Sequence, residues 1–185
     1  MRKLIAAINM TLDGFCDHTA GIADAELHQH YTELLRNAGA ILYGRITYQM
    51  MENHWPTIVN KPTGDKGMDD FAIAMQHVPK IVFSRTLKDV GWENARLAKR
   101  DLQEEVSALR QSDGKDVFVG SPSLIAALTA LGLFDEYQLC VHPVIAGKGL
   151  PLFKNISERI VLQYLRSKNL SASGATILYY QPITK

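Results

Sequence analysis

Three short segments of this chain carry residue types suited to binding anions. They are Tyr43-Gly44-Arg45-Ile46-Thr47, Phe83-Ser84-Arg85-Thr86 and Val119-Gly120-Ser121-Pro122-Ser123. A glycine lets the chain turn tightly and lets a ligand approach the backbone. N–H groups at a helix start favour phosphate, and Arg45 and Thr47 add a charge and a hydroxyl. One guanidinium between two hydroxyls, as at Arg85, suits a phosphate on a ribose. Taken singly, each segment also reads as a turn glycine with a capping hydroxyl. At three strand ends in one short chain, they together favour a dinucleotide phosphate site.

Asp13, in Thr11-Leu12-Asp13-Gly14, is the acid that stands out. One reading is a turn aspartate before a glycine. The other is a carboxylate at the mouth of a cofactor cleft, accepting a substrate N–H or relaying a proton. Hydride transfer needs little more from the protein, because a nicotinamide carries the difficult chemistry.

Other chemistries find little support. There is no GxGxxG and no GxxxxGK[ST], so ordinary Rossmann and P-loop sites are poor fits. Gly147-Lys148-Gly149 lies between strands and near Pro143 and Pro151, and reads as a structural turn. His28 and His30 are two apart on a helix and point to different sides. No His/Cys/Asp cluster has ligand spacing, so no metal is expected. No Gly-x-Ser-x-Gly elbow is present. Cys16 reads as a small filler.

These segments need strands and helices to position them. Leu4 to Ile8 reads as a buried strand, followed by a loop over Thr11 to Ala23. Asp24 looks like an N-cap; Leu27, Tyr31, Leu34, Leu35 and Ala38 share one helical face, and Gly39 stops that helix. Ala40 to Tyr43 is the second strand. A helix starts near Arg45 or Ile46, runs to about Asn53 and ends at Trp55-Pro56. Residues 57–68 read as a surface loop and Asp69 to Gln76 as a short helix. Lys80 to Phe83 is the third strand, and Asp89 to Lys99 is irregular with room for a short one.

Asp101-Leu-Gln-Glu104 is a capping box. Asp116 to Val119 is a strand, and Ser121-Pro122 opens a helix with serine as N-cap and proline at the first position. Ile125, Leu128 and Leu131 form its apolar stripe, and Gly132 ends it. Tyr137 to Ile145, Ile160 to Asn169 and Ala175 to Tyr180 then read as strands, with Ser171 to Gly174 as a hairpin turn. Strand–helix alternation followed by strands alone predicts an α/β fold. Its sheet is mainly parallel, with helices on both faces and a C-terminal antiparallel hairpin.

Composition bounds the rest. With 185 residues, one domain over 1–185 is expected. Twenty Lys and Arg against 19 Asp and Glu leave a formal charge of +1, so nothing draws a nucleic-acid backbone. Two cysteines without a CxxC suggest a reducing, cytoplasmic setting. No apolar run approaches the length of a membrane span.

Five segments carry a family resemblance. They are Asn9-Met-Thr-Leu-Asp-Gly-Phe15, Leu42-Tyr-Gly-Arg-Ile-Thr-Tyr48, Lys80-Ile-Val-Phe-Ser-Arg-Thr-Leu87, Lys115-Asp-Val-Phe-Val-Gly-Ser121 and His142-Pro-Val-Ile-Ala-Gly-Lys-Gly-Leu-Pro-Leu-Phe153. In this order the chain resembles the dihydrofolate-reductase-like family that includes the C-terminal reductase domain of riboflavin-biosynthesis enzymes. The resemblance implies that family's three-layer fold, a homodimer, and NADPH as cofactor. By it, Gly44, Arg45 and Thr47 bind phosphate, and Ser84, Arg85 and Thr86 hold the adenosine 2′-phosphate. Gly120, Ser121, Ser123 and Leu124 line the pyrophosphate and nicotinamide ribose. Ala6-Ala7, expected at the end of the first strand, places backbone polar groups against the nicotinamide carboxamide. Asp13 matches the Asp-Gly whose loop faces substrate. The implied substrate is a small, planar nitrogen heterocycle, pterin-like or an aminouracil. The alternative is a non-catalytic NADP-binding scaffold of the same fold. The chain departs from the family at Phe15, where riboflavin-type reductases usually carry lysine. It departs again at Ser121-Pro122, where a second glycine is common.

Overall fold

A computed structural model describes residues 1–183. The elements run β1 (Leu4–Thr11), α1 (Ala25–Asn37), β2 (Ala40–Gly44), α2 (Arg45–Asn60), α3 (Lys66–His77), β3 (Lys80–Phe83), β4 (Ala95–Leu97). They continue α4 (Leu102–Gln111), β5 (Val117–Val119), α5 (Pro122–Ala130), β6 (Glu136–His142), β7 (Leu162–Asn169), β8 (Thr176–Pro182). The strands form one eight-stranded sheet in the order β4-β3-β2-β5-β1-β6-β8-β7. The pairs β4–β3, β3–β2 and β1–β6 are parallel, while β6–β8 and β8–β7 are antiparallel. The mixed sheet with its terminal hairpin is the architecture that the alternation predicts.

Contacts divide the chain into two compact units. The first comprises Met1–Arg2 and Ala25–Phe118; the second comprises Lys3–Asp24 and residues from Val119 onward.

In the first unit, α1 buries Leu27, Leu34 and Leu35, the stripe read from its spacing. The chain then turns at Gly39 for a reason other than φ. A Cβ there would collide with the Arg2 guanidinium and with the backbone carbonyl of Lys115. Arg2 Nε donates to that same carbonyl at 2.5 Å. Only glycine leaves room for this crossing. Gly39→Ala is expected to destabilise the protein by about 2–3 kcal/mol, because a backbone atom cannot swing aside as a side chain can. Urea unfolding checks this.

The helix expected to stop at Trp55-Pro56 continues to Asn60 with Pro56 inside it. Proline costs a helix one hydrogen bond and crowds the preceding turn. Burial offsets that cost: Ile58 is 7% exposed and Trp55 packs edge-on against Phe71 of α3 at 4.5 Å. The Thr57 hydroxyl also donates to the His54 carbonyl at 2.6 Å. The loop expected over 57–68 therefore shrinks to residues 61–65. The helix expected from Asp69 starts earlier, at Lys66, and Asp65 caps it, accepting the N–H of Met68 at 2.9 Å. Asp69 gathers the Thr63 N–H, the Thr63 hydroxyl and the Gly64 N–H. Asp101 caps α4, accepting the Glu104 N–H at 2.9 Å, which is the N-cap half of the expected capping box.

In the second unit, α5 begins after Ser121 with Pro122 in its first turn, but the serine hydroxyl makes no capping hydrogen bond. Ser121 is wholly buried, so the position is right and the capping role is not. Gly132 ends α5 with φ 65°, and Leu133 N–H reaches back to the Leu128 carbonyl at 3.1 Å. That is the Schellman closure a terminal glycine permits. β1 extends to Thr11, so Ala6 and Ala7 lie inside the strand, paired with Tyr137 and Gln138 of β6. The expectation that they end it is corrected. The polar residues Asn9 and Thr11 stay in the ladder because β6 runs alongside them.

Candidate functional site

In a parallel sheet, ligands collect where strands end and helices begin. In the first unit, β2 and β3 pair so that Gly44 lies opposite Phe83. Arg45-Ile46-Thr47 and Ser84-Arg85-Thr86 therefore leave two neighbouring strands at the same level. Gly44 is the N-cap residue of the 16-residue α2 and, lacking a side chain, makes no side-chain cap bond. The first turn of α2 thus presents N–H groups without a capping oxygen, the arrangement that receives anions. Arg45 is exposed and donates a hydrogen bond to Gln49 at 3.3 Å. Arg85 is exposed and forms no hydrogen bond or ion pair among the described residues. Ser84 shapes the turn that presents it: its Oγ accepts the N–H of Thr86 at 3.1 Å and of Leu87 at 2.9 Å. Two guanidinium groups and a helix N-terminus at adjacent strand ends fit a phosphate-bearing ligand.

In the second unit, Asp13 sits in the turn after β1. Its Oδ1 accepts the Thr11 hydroxyl at 2.6 Å and the Ala146 N–H at 3.1 Å; its Oδ2 accepts the Gly147 N–H at 2.7 Å. These bonds hold its pKa down at about 2, the Thr11 hydroxyl contributing most and the Gly147 N–H next. Asp13 is therefore ionised throughout the neutral range and cannot serve as a proton donor there. Because its folded-state pKa is depressed, its contribution to stability is full above the ordinary 3.8 and is lost as pH falls toward 2. The Asp13 side chain is exposed, so its carboxylate stays within reach of an N–H from a ligand.

Asp13 is part of a double loop. Leu12 N–H donates to the Val144 carbonyl at 2.8 Å, Leu152 N–H to Gly14 at 3.0 Å, and Cys16 N–H to Leu150 at 2.8 Å. Gly147 and Gly149 adopt φ 69° and 139°. Phe15 lies so close to Gly149 that a Cβ there would come within 3.4 Å of it. Gly147-Lys148-Gly149 thus forms a turn, with Gly149 against Phe15 and the Gly147 N–H on Asp13. Its backbone partnership with Asp13 carries no local signal in the sequence.

The other residues of interest fall as follows. Gly120 follows β5 directly, and Ser123 is exposed on the first turn of α5, while Leu124 is buried beside it. Ala7 is 7% exposed within β1. Cys16 is half-buried, and burial pushes its thiol up to about 11, which suits a packing role. Among the described residues, no group of three or more His, Cys, Asp or Glu could hold a metal ion. No helix among them is long and apolar enough to cross a membrane.

A cleft of about 380 Å³ opens in the first unit, lined by Arg2, Gly39, Lys80, Asn94 and Arg96 among others. It lies at the amino ends of β2, β3 and β4, opposite the end that carries Arg45 and Arg85. Its cations are already engaged. Lys80 Nζ donates to the carbonyls of Gln76, Val78 and Glu93 at 3.0–3.1 Å and lies 4.3 Å from the centre of the Trp92 ring. Arg96 pairs with buried Glu105 at 2.5 Å. Burial lowers the Lys80 pKa to about 8, so this is a core lysine satisfied by carbonyls.

The chain is similar to known proteins. Residues 2–178 match the family described as the RibD C-terminal domain. The Bacillus subtilis protein YyaP is 31% identical over 183 residues, covering 97% of this chain and 95% of its own. Among solved structures, a Shewanella sp. PV-4 protein, provisionally described as a riboflavin biosynthesis protein, aligns with a TM-score of 0.73. Its identity is 18%, over 98% of this chain and 99% of its own. A deaminase/5-amino-6-(5-phosphoribosylamino)uracil reductase from Thermotoga maritima aligns at TM-score 0.67 and 17% identity. That alignment covers 98% of this chain but 57% of the Thermotoga one. At these identities the structural matches speak for the fold alone.

Proposed function

The chain belongs to the RibD C-terminal domain family, and from that premise we propose that it is an NADPH-dependent reductase of a small, planar nitrogen heterocycle. The observation that carries this reading is the Gly44–Phe83 register. It sets Arg45 and Arg85 on neighbouring strand ends beside the start of α2. Arg85, with Ser84 and Thr86, would hold the 2′-phosphate that distinguishes NADPH from NADH. Gly44, Arg45 and Thr47 would hold further phosphate oxygens. In the second unit, Gly120, Ser121, Ser123 and Leu124 would line the pyrophosphate and nicotinamide ribose, and Ala7 would lie near the carboxamide. Bound NADPH supplies a hydride. Asp13, ionised and exposed, would orient substrate by taking an N–H; the proton that completes reduction must come from another group or from water. Amino-substituted pyrimidines and pterins offer such an N–H.

The test is a panel of dihydropterins and aminouracil derivatives, followed by loss of reduced-nicotinamide absorbance. Turnover with one of them supports the reading. Tight NADPH binding with no turnover across the panel favours the non-catalytic alternative.

The proposal includes a homodimer. β7 lies at the sheet edge with seven of its eight residues exposed. Tyr164 is 56% and Leu165 41% exposed there. Edges of this length are ordinarily blunted or covered, and a second copy would cover this one. Light scattering should give twice the chain mass, and Leu165→Lys with Tyr164→Glu should return it to one. A monomeric parent protein contradicts the pairing.

A further inference from the structure

The reductase reading leaves one buried histidine of the second unit without a role. His142 closes β6, pairs with Thr11 of β1 and is 1% exposed. Its Nδ1 accepts the N–H of Ile22 at 3.1 Å. Its Nε2 lies 3.8 Å from Cys140 Sγ. Gly21 lies over the ring, where an added Cβ would come within 3.4 Å of Nε2. Accepting a hydrogen bond at Nδ1 requires a lone pair there, so the ring is neutral with its proton on Nε2. Protonating Nδ1 would set one N–H against another and leave a buried charge.

We propose that His142 is a proton-sensitive latch on the 17–24 segment. The neutral ring holds Ile22 to the end of β6, and protonation of Nδ1 releases it. The latch does not depend on what the protein reduces.

The surroundings bear on when it opens. Asp24, from the segment before α1, is the charge that favours a protonated ring. Burial outweighs it, so the imidazole titrates below its ordinary 6.5. The Cys140 thiol, pushed up to about 12 by burial, stays neutral. In the sheet His142 pairs with Thr11 of β1, and β8 pairs with β6 as far as Val141, opposite Thr176; neither threonine is ionisable. Asp17 is committed to the Thr19 N–H and hydroxyl at 2.8 and 2.7 Å, and the exposed His18 lies 4.0 Å from it. The folded-state pKa of His142 is lowered, so its contribution to stability is full above 6.5 and declines as pH falls below that. The Asp13 anchor at the other end of the loop persists to about pH 2. Acid therefore frees 17–24 while 11–16 stays held.

Amide hydrogen exchange between about pH 8 and pH 5, corrected for intrinsic rates, reads the latch directly. Protection at Ile22 should fall at least about ten-fold on acidification, while Thr11 and Phe15 amides keep theirs. His142→Asn places a non-titrating acceptor where Nδ1 stood and should make Ile22 protection independent of pH. Ile22 protection that does not change with pH in the parent protein overturns the proposal. So does an unchanged pH dependence in the variant. Imidazole ¹⁵N shifts of the parent protein give a second check needing no substitution: an Nδ1–H tautomer at neutral pH contradicts the latch.

Discussion

Replacing Arg85 by alanine is expected to weaken NADPH binding by about 10- to 100-fold while NADH binding stays within about two-fold. The two cofactors differ by one phosphate on the adenosine ribose. A guanidinium that contacts only this group is silent when it is missing. Arg85 is exposed at the end of β3, in a turn fixed by Ser84 Oγ, so its removal disturbs no core packing. Isothermal titration of both cofactors to both proteins checks this. Equal losses for the two would place Arg85 elsewhere on the ligand or off it.

The second large effect is expected at Asp13. Asp13→Asn should lower kcat/KM by about 10- to 100-fold with cofactor affinity held within about two-fold. The carboxylate accepts from two consecutive backbone N–H groups and a hydroxyl. An amide keeps one acceptor oxygen and must turn its NH₂ toward a donor. It also loses the charge that orients a substrate N–H. The parent protein's rate should show no ionisation of Asp13 above about pH 4, because that group titrates near 2. Full activity in the variant would remove Asp13 from the reaction. A limb of the pH–rate profile near neutrality that Asp13→Asn abolishes would make it a proton donor instead.

The parts of this molecule that were readable in its sequence are those governed by neighbours in the chain. The Asp101 cap three residues before the Glu104 N–H, the glycine closing α5 at 132 and the apolar stripe of α1 all express local geometry. The strand–helix order followed, and with it the placement of Gly44, Ser84 and Gly120 at strand ends. What failed was decided by distant contacts. Pro56 stays in its helix because Trp55 and Ile58 find burial there. β1 runs past Ile8 because β6 supplies partners to Thr11. The bonds from Asp13 to Ala146 and Gly147, and from His142 to Ile22, span more than a hundred residues. No pattern of spacing announces them. Asp13 ties its turn together through these bonds while its carboxylate stays exposed.

Fluorescence titration of the parent protein with NADPH and with NADH tests the central claim most directly. The strand-end arginines predict saturable NADPH binding in the micromolar range, at least about ten-fold tighter than NADH. Failure of NADPH to bind, or NADH binding as tightly, would contradict it.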